Sequence, residues 1–214
     1  MQQLPMLIPR RFLLIVALLC AAATRVMPAA AQPAPAVVAP IQALNQGLLT
    51  TMRAAQSTPF PQRFANLTPI VEQAFNFPVI LRTVVGLRWS EIPAAQQAEL
   101  LQAFERFTVA TYVSSFNSYD GQQFNLLPQT RSVGAEQVVA TQIVPRDGSP
   151  TRLDYVMRQG PQGWQAVDVL LDGTISRVAV QRSDFRSLLA SGNASRLIDS
   201  LRQKVSSLSG GTMQ

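Results

Sequence analysis

The chain has 214 residues, with 18 basic and 12 acidic residues, no histidine and a single cysteine, Cys20. This composition excludes catalytic triads and pairs that need histidine, zinc sites built from histidine and cysteine, and any disulfide within the chain. The sequence therefore predicts a binding protein rather than an enzyme, with no metal and no cofactor.

The first 31 residues have the pattern of an export signal. Arg10 and Arg11 precede an apolar run over residues 12–23, and three alanines at 29–31 supply the small residues of a cleavage site. The apolar run is shorter than the roughly 20 residues that cross a bilayer, which argues against the alternative of a membrane anchor. We predict a cleaved signal peptide over residues 1–31.

The charge that remains after this cleavage is uneven. Residues 32–214 hold 15 basic and 12 acidic residues, and residues 173–214 alone hold six basic and two acidic ones. Arg186, Arg196 and Arg202 are therefore candidates for docking an acidic partner or anionic headgroups, the alternative being a solvated helix face. Nucleic acid is not an expected partner of an exported chain with one lysine.

Helices are predicted in the first half of the mature chain. A leader rich in proline and alanine over residues 32–40 is followed by apolar residues at intervals of three and four, the period of a helix with one buried face. This period predicts helices over residues 41–55, 64–75, 77–85 and 93–116.

Strands are predicted after Asp120 and Gly121, where the pattern becomes alternating and is interrupted by turn sequences. The predicted strands cover residues 122–132, 136–145, 151–159, 163–171 and 174–180. Two helices, at 182–190 and 194–207, and a flexible tail at 208–214 complete the chain. The expected fold class is α+β: one domain over residues 41–207, with an N-terminal helical layer on an antiparallel meander sheet of four or five strands, closed by two C-terminal helices.

Carboxylates are the remaining option for catalysis. Asp168 and Asp172 are four residues apart, which on a strand separates them by roughly 13 Å, too far for a glycosidase pair. A turn is the expected role of Asp172. Asp168 lies in an apolar run and should be paired, with Arg82 and Arg182 as the candidates. A carboxylate-only hydrolase acting on cell-wall glycan is the least favoured hypothesis.

Nine short motifs follow one another along the chain: Phe75-Asn76-Phe77, Val85-Gly86-Leu87-Arg88-Trp89, Tyr119-Asp120-Gly121, Leu153-Asp154-Tyr155, Gly163-Trp164, Val167-Asp168-Val169, Gly173, Arg182-Ser183 and Phe185. In their order and spacing they resemble the toluene-tolerance or MlaC-like family of periplasmic lipid-binding proteins, over about residues 63–204. The segment from Asp168 to Phe185 is most similar to the hopanoid-associated branch, HpnM. Asn76 departs from the aspartate that is usual in the first motif.

The resemblance implies a soluble periplasmic carrier that moves a lipid, a hopanoid or a glycerophospholipid, between inner- and outer-membrane components. For the phospholipid branch the implied partners are an inner-membrane ABC transporter with its MCE-domain subunit and an outer-membrane lipoprotein complex. For the hopanoid branch the implied partner is an RND-type inner-membrane transporter.

A carrier of this kind needs an apolar cavity between its helices and its sheet. Nine residues are expected to line the cavity: Phe77, Leu81, Val84, Phe104, Thr108, Tyr112, Val139, Tyr155 and Val169. The alternative is an adaptor that docks on a transporter through the basic C-terminal helices and holds no lipid.

Overall fold

The computed structural model describes residues 36–213, with every side chain in that range except that of Gln129. The predicted signal peptide and the first residues of the leader lie outside the described range. The helices are α1 (Ala39–Arg53), α2 (Phe60–Ala74), α3 (Phe77–Val85), α4 (Ala94–Ser115), α5 (Arg177–Phe185) and α6 (Ser195–Leu208), with 3-10 turns at Gly86–Glu91 and Arg186–Leu188. The strands are β1 (Gln123–Val133), β2 (Glu136–Val144), β3 (Thr151–Gly160), β4 (Gly163–Leu171) and β5 (Ile175–Ser176).

The first helix buries the apolar stripe that the sequence predicts. Ile41, Leu44 and Leu48 are almost fully buried, one helical turn apart. The helix begins at Ala39, with Pro40 in its first turn, where a missing backbone N–H costs nothing. The last two residues of the segment assigned to the leader are therefore helical.

The next two helices differ in their local features, since α2 contains a proline and α3 has a side-chain cap. Pro69 lies inside α2, which continues through it as one helix to Ala74. The Asn76 side chain accepts a hydrogen bond from the backbone N–H of Val79 at 3.1 Å and so caps α3. The amide thus supplies the capping oxygen in place of the aspartate usual in the related motif.

The five strands form one antiparallel meander in the order β1 to β5. Tyr155 on β3 lies opposite Val139 on β2 and Val169 on β4. Tyr155 and Met157 are buried against the helical layer, as the alternation of β3 predicts. Helices from both halves of the chain, α2, α3 and α5, pack on strand β4, so the α+β architecture is confirmed.

The prediction of a strand over residues 174–180 was wrong after Ser176. The fifth strand has two residues, and α5 begins at Arg177, five residues before the predicted helix. The Ser176 side chain accepts a hydrogen bond from the backbone N–H of Ala179 at 2.9 Å, which caps the helix and ends the strand. A serine N-cap thus overrides the β-branched residues that suggested a strand.

The last helix closes the fold over α4. Its residues Leu197 and Leu201 are fully buried, and Arg202 forms an ion pair with Glu99 of α4 at 2.7 Å. After α6, the Ser209 hydroxyl accepts a hydrogen bond from the backbone N–H of Met213 at 3.1 Å, within the segment expected to be a flexible tail. Within residues 36–213, no helix has the length and apolar character of a membrane span.

Candidate functional site

A cavity of about 370 Å³ lies between the helical layer and the sheet. Three helices, α3, α4 and α5, form its walls on one side, and strands β2, β3 and β4 form the floor. The apolar residues that line it are Phe75, Phe77, Ile80, Phe104, Tyr112, Phe116, Ile143, Leu153, Val169, Leu171 and Val178. Most of the lining is thus hydrocarbon or aromatic, as in pockets that hold apolar ligands.

The aromatic side of the cavity is held by ring contacts. Phe75 lies 6.0 Å from Phe77 and 5.8 Å from Tyr112, measured between ring centroids. Tyr112 stacks on Phe116 at 6.0 Å, and Phe77 meets Phe104 edge to face. Because each ring contacts at least one other, the rings restrict one another's rotamers and keep this side of the cavity open.

Polar groups lie at the α5 side of the cavity. Arg177 and Gln181, one helical turn apart on α5, line it together with Thr111 and Ser115 of α4. Arg177 is exposed, as are the lining residues Ser115 and Thr151, so these three residues lie where the cavity meets solvent. The cavity thus has a mostly apolar lining, with one cationic side chain where it meets solvent.

The Asp168 carboxylate, which also lines the cavity, is satisfied by hydrogen bonds. Its Oδ1 accepts from the backbone N–H of Val169 at 2.7 Å and of Val178 at 3.1 Å, and its Oδ2 accepts from the Ser176 hydroxyl. The predicted pairing with Arg82 or Arg182 was wrong, because the first turn of α5 supplies donors to this acid. Arg82 instead lies over the Trp89 ring at 5.7 Å, and Arg182 lies against Gly86.

Burial changes the acidity of two tyrosines near the cavity. Loss of solvation raises the pKa of Tyr112 well above its ordinary value of 10.0, with smaller effects from Tyr155, which raises it, and Arg177, which lowers it. Burial alone also raises the pKa of Tyr155 far above the same value. Both phenols therefore stay neutral, which suits an apolar ligand.

Five of the nine residues expected to line the cavity do so: Phe77, Phe104, Thr108, Tyr112 and Val169. The other four do not, and they are Leu81, Val84, Val139 and Tyr155, each at most 1% exposed in the core. Phe75 lines the cavity and packs on the Tyr155 ring at 6.3 Å, so Tyr155 lies behind the cavity wall.

Several other lining residues could have been found from the two-residue alternation of side chains along a strand. Leu153 is two residues from Tyr155 and Leu171 two residues from Val169, so each shares a sheet face with a residue that was selected. Arg177 and Gln181 were missed because their helix was predicted as a strand and a loop. No sequence signal placed that helix against the cavity.

The three arginines predicted to dock a partner lie on two different elements. Arg186 is exposed in the 3-10 turn after α5, while Arg196 and Arg202 are exposed on α6. Arg202 is engaged by Glu99, whereas Arg186 lines a groove with Leu87 and Arg182. Within the described part of the chain, no cluster of acidic residues could hold a metal ion.

The architecture defines an α+β protein with an apolar cavity between helices and a meander sheet. The family model of the MlaC protein matches residues 42–203, and the chain belongs to this family. A solved structure of a phospholipid-binding protein from Ralstonia solanacearum, in complex with a phospholipid, shares the fold at a TM-score of 0.69 and 19% identity. The alignment covers 80% of this chain and 98% of that protein. No curated protein matches the chain.

Proposed function

We propose that the protein is a non-enzymatic, periplasmic lipid carrier that holds an acyl tail in the cavity between helices and sheet. The observation that carries the proposal is the aromatic and aliphatic lining of this cavity, which opens beside Arg177. The export pattern of residues 1–31 supports the compartment. The family and the ligand of the Ralstonia relative support a lipid as cargo.

An acyl tail that is exposed to water during transit carries a large free-energy cost, which such a cavity avoids. Each methylene removed from water contributes about 0.8 kcal/mol, so a 16-carbon tail exposed during transit costs on the order of 10 kcal/mol. A carrier that shields the tail removes this barrier. Release then requires movement of the helices against the sheet or competition by the receiving component.

The mouth of the cavity favours a phospholipid over a hopanoid as cargo. Arg177 places a guanidinium there, and guanidinium groups bind phosphate through paired hydrogen bonds. A hopanoid, which the similarity to the HpnM branch suggests, has a rigid apolar body and would use the lining without needing this cation. Replacing Arg177 with Gln therefore distinguishes the two, since it should weaken phospholipid uptake and leave hopanoid uptake unchanged.

Native mass spectrometry of the protein purified from its host, followed by lipid extraction, tests the carrier directly. The expected result is one lipid mass per protein, lost when Val169 is replaced by Trp, because the indole fills the cavity. Val133→Trp is the matched control, since Val133 is exposed outside the cavity. Empty wild-type protein that takes up no lipid from vesicles would contradict the proposal.

The transporter partners are a further part of the proposal. An ABC transporter with an MCE-domain subunit and an outer-membrane lipoprotein complex would serve a phospholipid, and an RND-type transporter a hopanoid. The second candidate function is an adaptor without cargo, favoured by the exposed arginines of α5 and the following turn. If the protein is an adaptor without cargo, Val169→Trp should leave lipid transport in the host unchanged.

A further inference from the structure

Leu87 is the most exposed large hydrophobic residue in the described part of the chain. Its side chain is 91% exposed, against 50% for Ile175, the next in rank. It follows Gly86, whose φ of 69° turns the chain outward at the end of α3. A leucine in this position contributes nothing to the core, so its exposure calls for another explanation.

The 3-10 turn that carries Leu87 is held firmly to the fold. Arg88 Nη1 donates hydrogen bonds to the backbone oxygen of Leu189 at 2.6 Å and to that of Arg186 at 3.3 Å. Gln97 Nε2 donates to the backbone oxygen of Trp89 at 2.8 Å. These bonds keep Leu87 projecting, where a loose loop would let it fold back onto apolar surface.

Two exposed arginines stand beside Leu87. Arg182 and Arg186 line one groove with Leu87, over a base that includes Val84 and Leu189. Across residues 36–213, no carboxylate forms an ion pair with either guanidinium. The groove therefore presents an apolar tip beside uncompensated positive charge.

The four elements around this groove carry all of the net charge of the described chain. Residues 36–213 hold 15 basic and 12 acidic residues. The segments α3, the turn after it, α5 and the turn after that hold five arginines and two acids, Glu91 and Asp184. The rest of the described chain sums to zero, with ten basic and ten acidic residues, although α6 by itself carries a net charge of +2. The groove thus lies in the region with the largest local excess of positive charge.

We propose that this groove docks the protein on an anionic lipid bilayer, with Leu87 entering the interface and Arg182 and Arg186 contacting lipid phosphates. Interfacial binding needs apolar side chains beside cations that meet anionic headgroups, and this groove offers both. A protein partner would require a broader apolar centre than one leucine supplies. Binding through so few groups is weak and reversible, as suits a protein that leaves the surface again.

The groove lies next to the cavity along the same two helices. Phe77 and Ile80 of α3 line the cavity, and Val84 follows one turn later in the groove; on α5, Gln181 lines the cavity and Arg182 the groove. Docking would thus bring the α3–α5 side of the cavity toward the bilayer. The docking proposal goes beyond the carrier function, since a protein with a filled cavity would dock equally well.

Vesicle co-sedimentation of the mature protein tests the docking. We expect partition into vesicles containing 30% phosphatidylglycerol, little binding to pure phosphatidylcholine, and loss of binding as the Debye length falls from about 30 Å at 0.01 M salt to about 3 Å at 1 M. Arg182→Gln and Arg186→Gln should each weaken partition about fivefold, and Leu87→Gln about tenfold or more.

Arg196→Gln is the matched control, because it removes one exposed arginine from α6 and should change partition less than twofold. Val169→Trp should still dock, which separates failure of docking from failure of lipid carriage. Absence of binding to anionic vesicles at low salt overturns the proposal. It is also overturned if Arg196→Gln weakens binding as much as Arg182→Gln, or if the groove variants affect only binding to an acidic protein.

Discussion

The carboxylate of Asp168, on the fourth strand, accepts a hydrogen bond from the backbone N–H of Val178 in the first turn of α5 at 3.1 Å. The negative charge lies at the positive end of the helix and also holds the Ser176 hydroxyl. One acid thus joins the sheet to the helix that carries Arg177 and Gln181 to the cavity. Its role is to position that helix.

Replacing Asp168 with Asn should lower the free energy of unfolding by about 1–3 kcal/mol, because hydrogen bonds to a charged acceptor become weaker neutral ones. Urea unfolding followed by circular dichroism measures the change. Asp172→Asn is the control: Asp172 has φ 51°, a conformation that asparagine accepts, and should cost less than about 0.5 kcal/mol. Equal effects of the two variants would contradict the positioning role.

Two tyrosines, Tyr155 in the core and the half-buried Tyr112, should make the protein less stable in alkali. Burial raises the pKa of Tyr112 and Tyr155 in the folded state, so above pH 10 the unfolded chain loses phenolic protons that the folded chain keeps. The free energy of unfolding therefore falls as pH rises above about 10, the ordinary pKa. Urea midpoints between pH 8 and pH 11 measure the slope, which Tyr155→Phe should reduce. An unchanged slope in that variant would argue against burial as its source.

Gly86→Ala should destabilise the junction of α3 and its following turn. Gly86 has φ 69° and ψ −141°, a region that only glycine adopts readily, and an added Cβ would lie 3.1 Å from Arg182 Nη2. We expect a loss of about 1–3 kcal/mol in thermal or urea unfolding. Gly134→Asn is the comparison, since Gly134 has φ 59° in open space and asparagine tolerates that conformation. If Gly86→Ala leaves the free energy of unfolding unchanged, strain at this junction is not what requires the glycine.

On the other face of the sheet, the fully buried Asp154 depends on Arg152. Arg152 Nε lies 2.8 Å from Oδ1 and its Nη2 lies 3.0 Å from Oδ2, whereas Arg131 Nη2 is 3.9 Å from Oδ2. Arg152→Ala leaves a buried carboxylate with one distant cation and should lower the urea midpoint clearly. Arg131→Ala should lower the urea midpoint only slightly, and the midpoint of Arg152→Lys should lie between those of the two alanine variants. Equal midpoints for the two alanine variants would contradict this assignment.

Periodicity predicted the regular elements well because each buries one face. The four N-terminal helices and the first four strands follow intervals of three to four or of two, and turns at glycines such as Gly134 separate the strands. The start of α5, residues 177–181, was predicted poorly because β-branched residues there favour a strand, whereas α6 lies within one residue of its predicted bounds. A serine cap and a carboxylate from another strand decide the helix, and the second of these is a tertiary contact.

The residues that line the cavity could be predicted only in part from the sequence. Helical spacing identifies the residues of α4 that face the sheet, among them Phe104, Thr108 and Tyr112. It cannot separate the wall of a cavity from the core behind it, as Tyr155 shows, because both are apolar and share one sheet face. Which rings leave space depends on side-chain packing in three dimensions, here on Phe75 covering Tyr155.

The shift of register in β1, between Leu126 and Thr130, has a consequence for how copies of the chain meet. Pro128, which has no N–H to donate, lies in this irregular part of the edge strand β1. The irregularity and the proline together break the row of hydrogen-bonding groups that another strand could extend. At the opposite edge, β5 has two residues. It pairs only with Leu170 and Leu171, and the rest of that margin is β4, which the bridge between Phe75 and Ala166 interrupts. Both margins are thus broken as templates, which disfavours edge-to-edge pairing of copies of the chain.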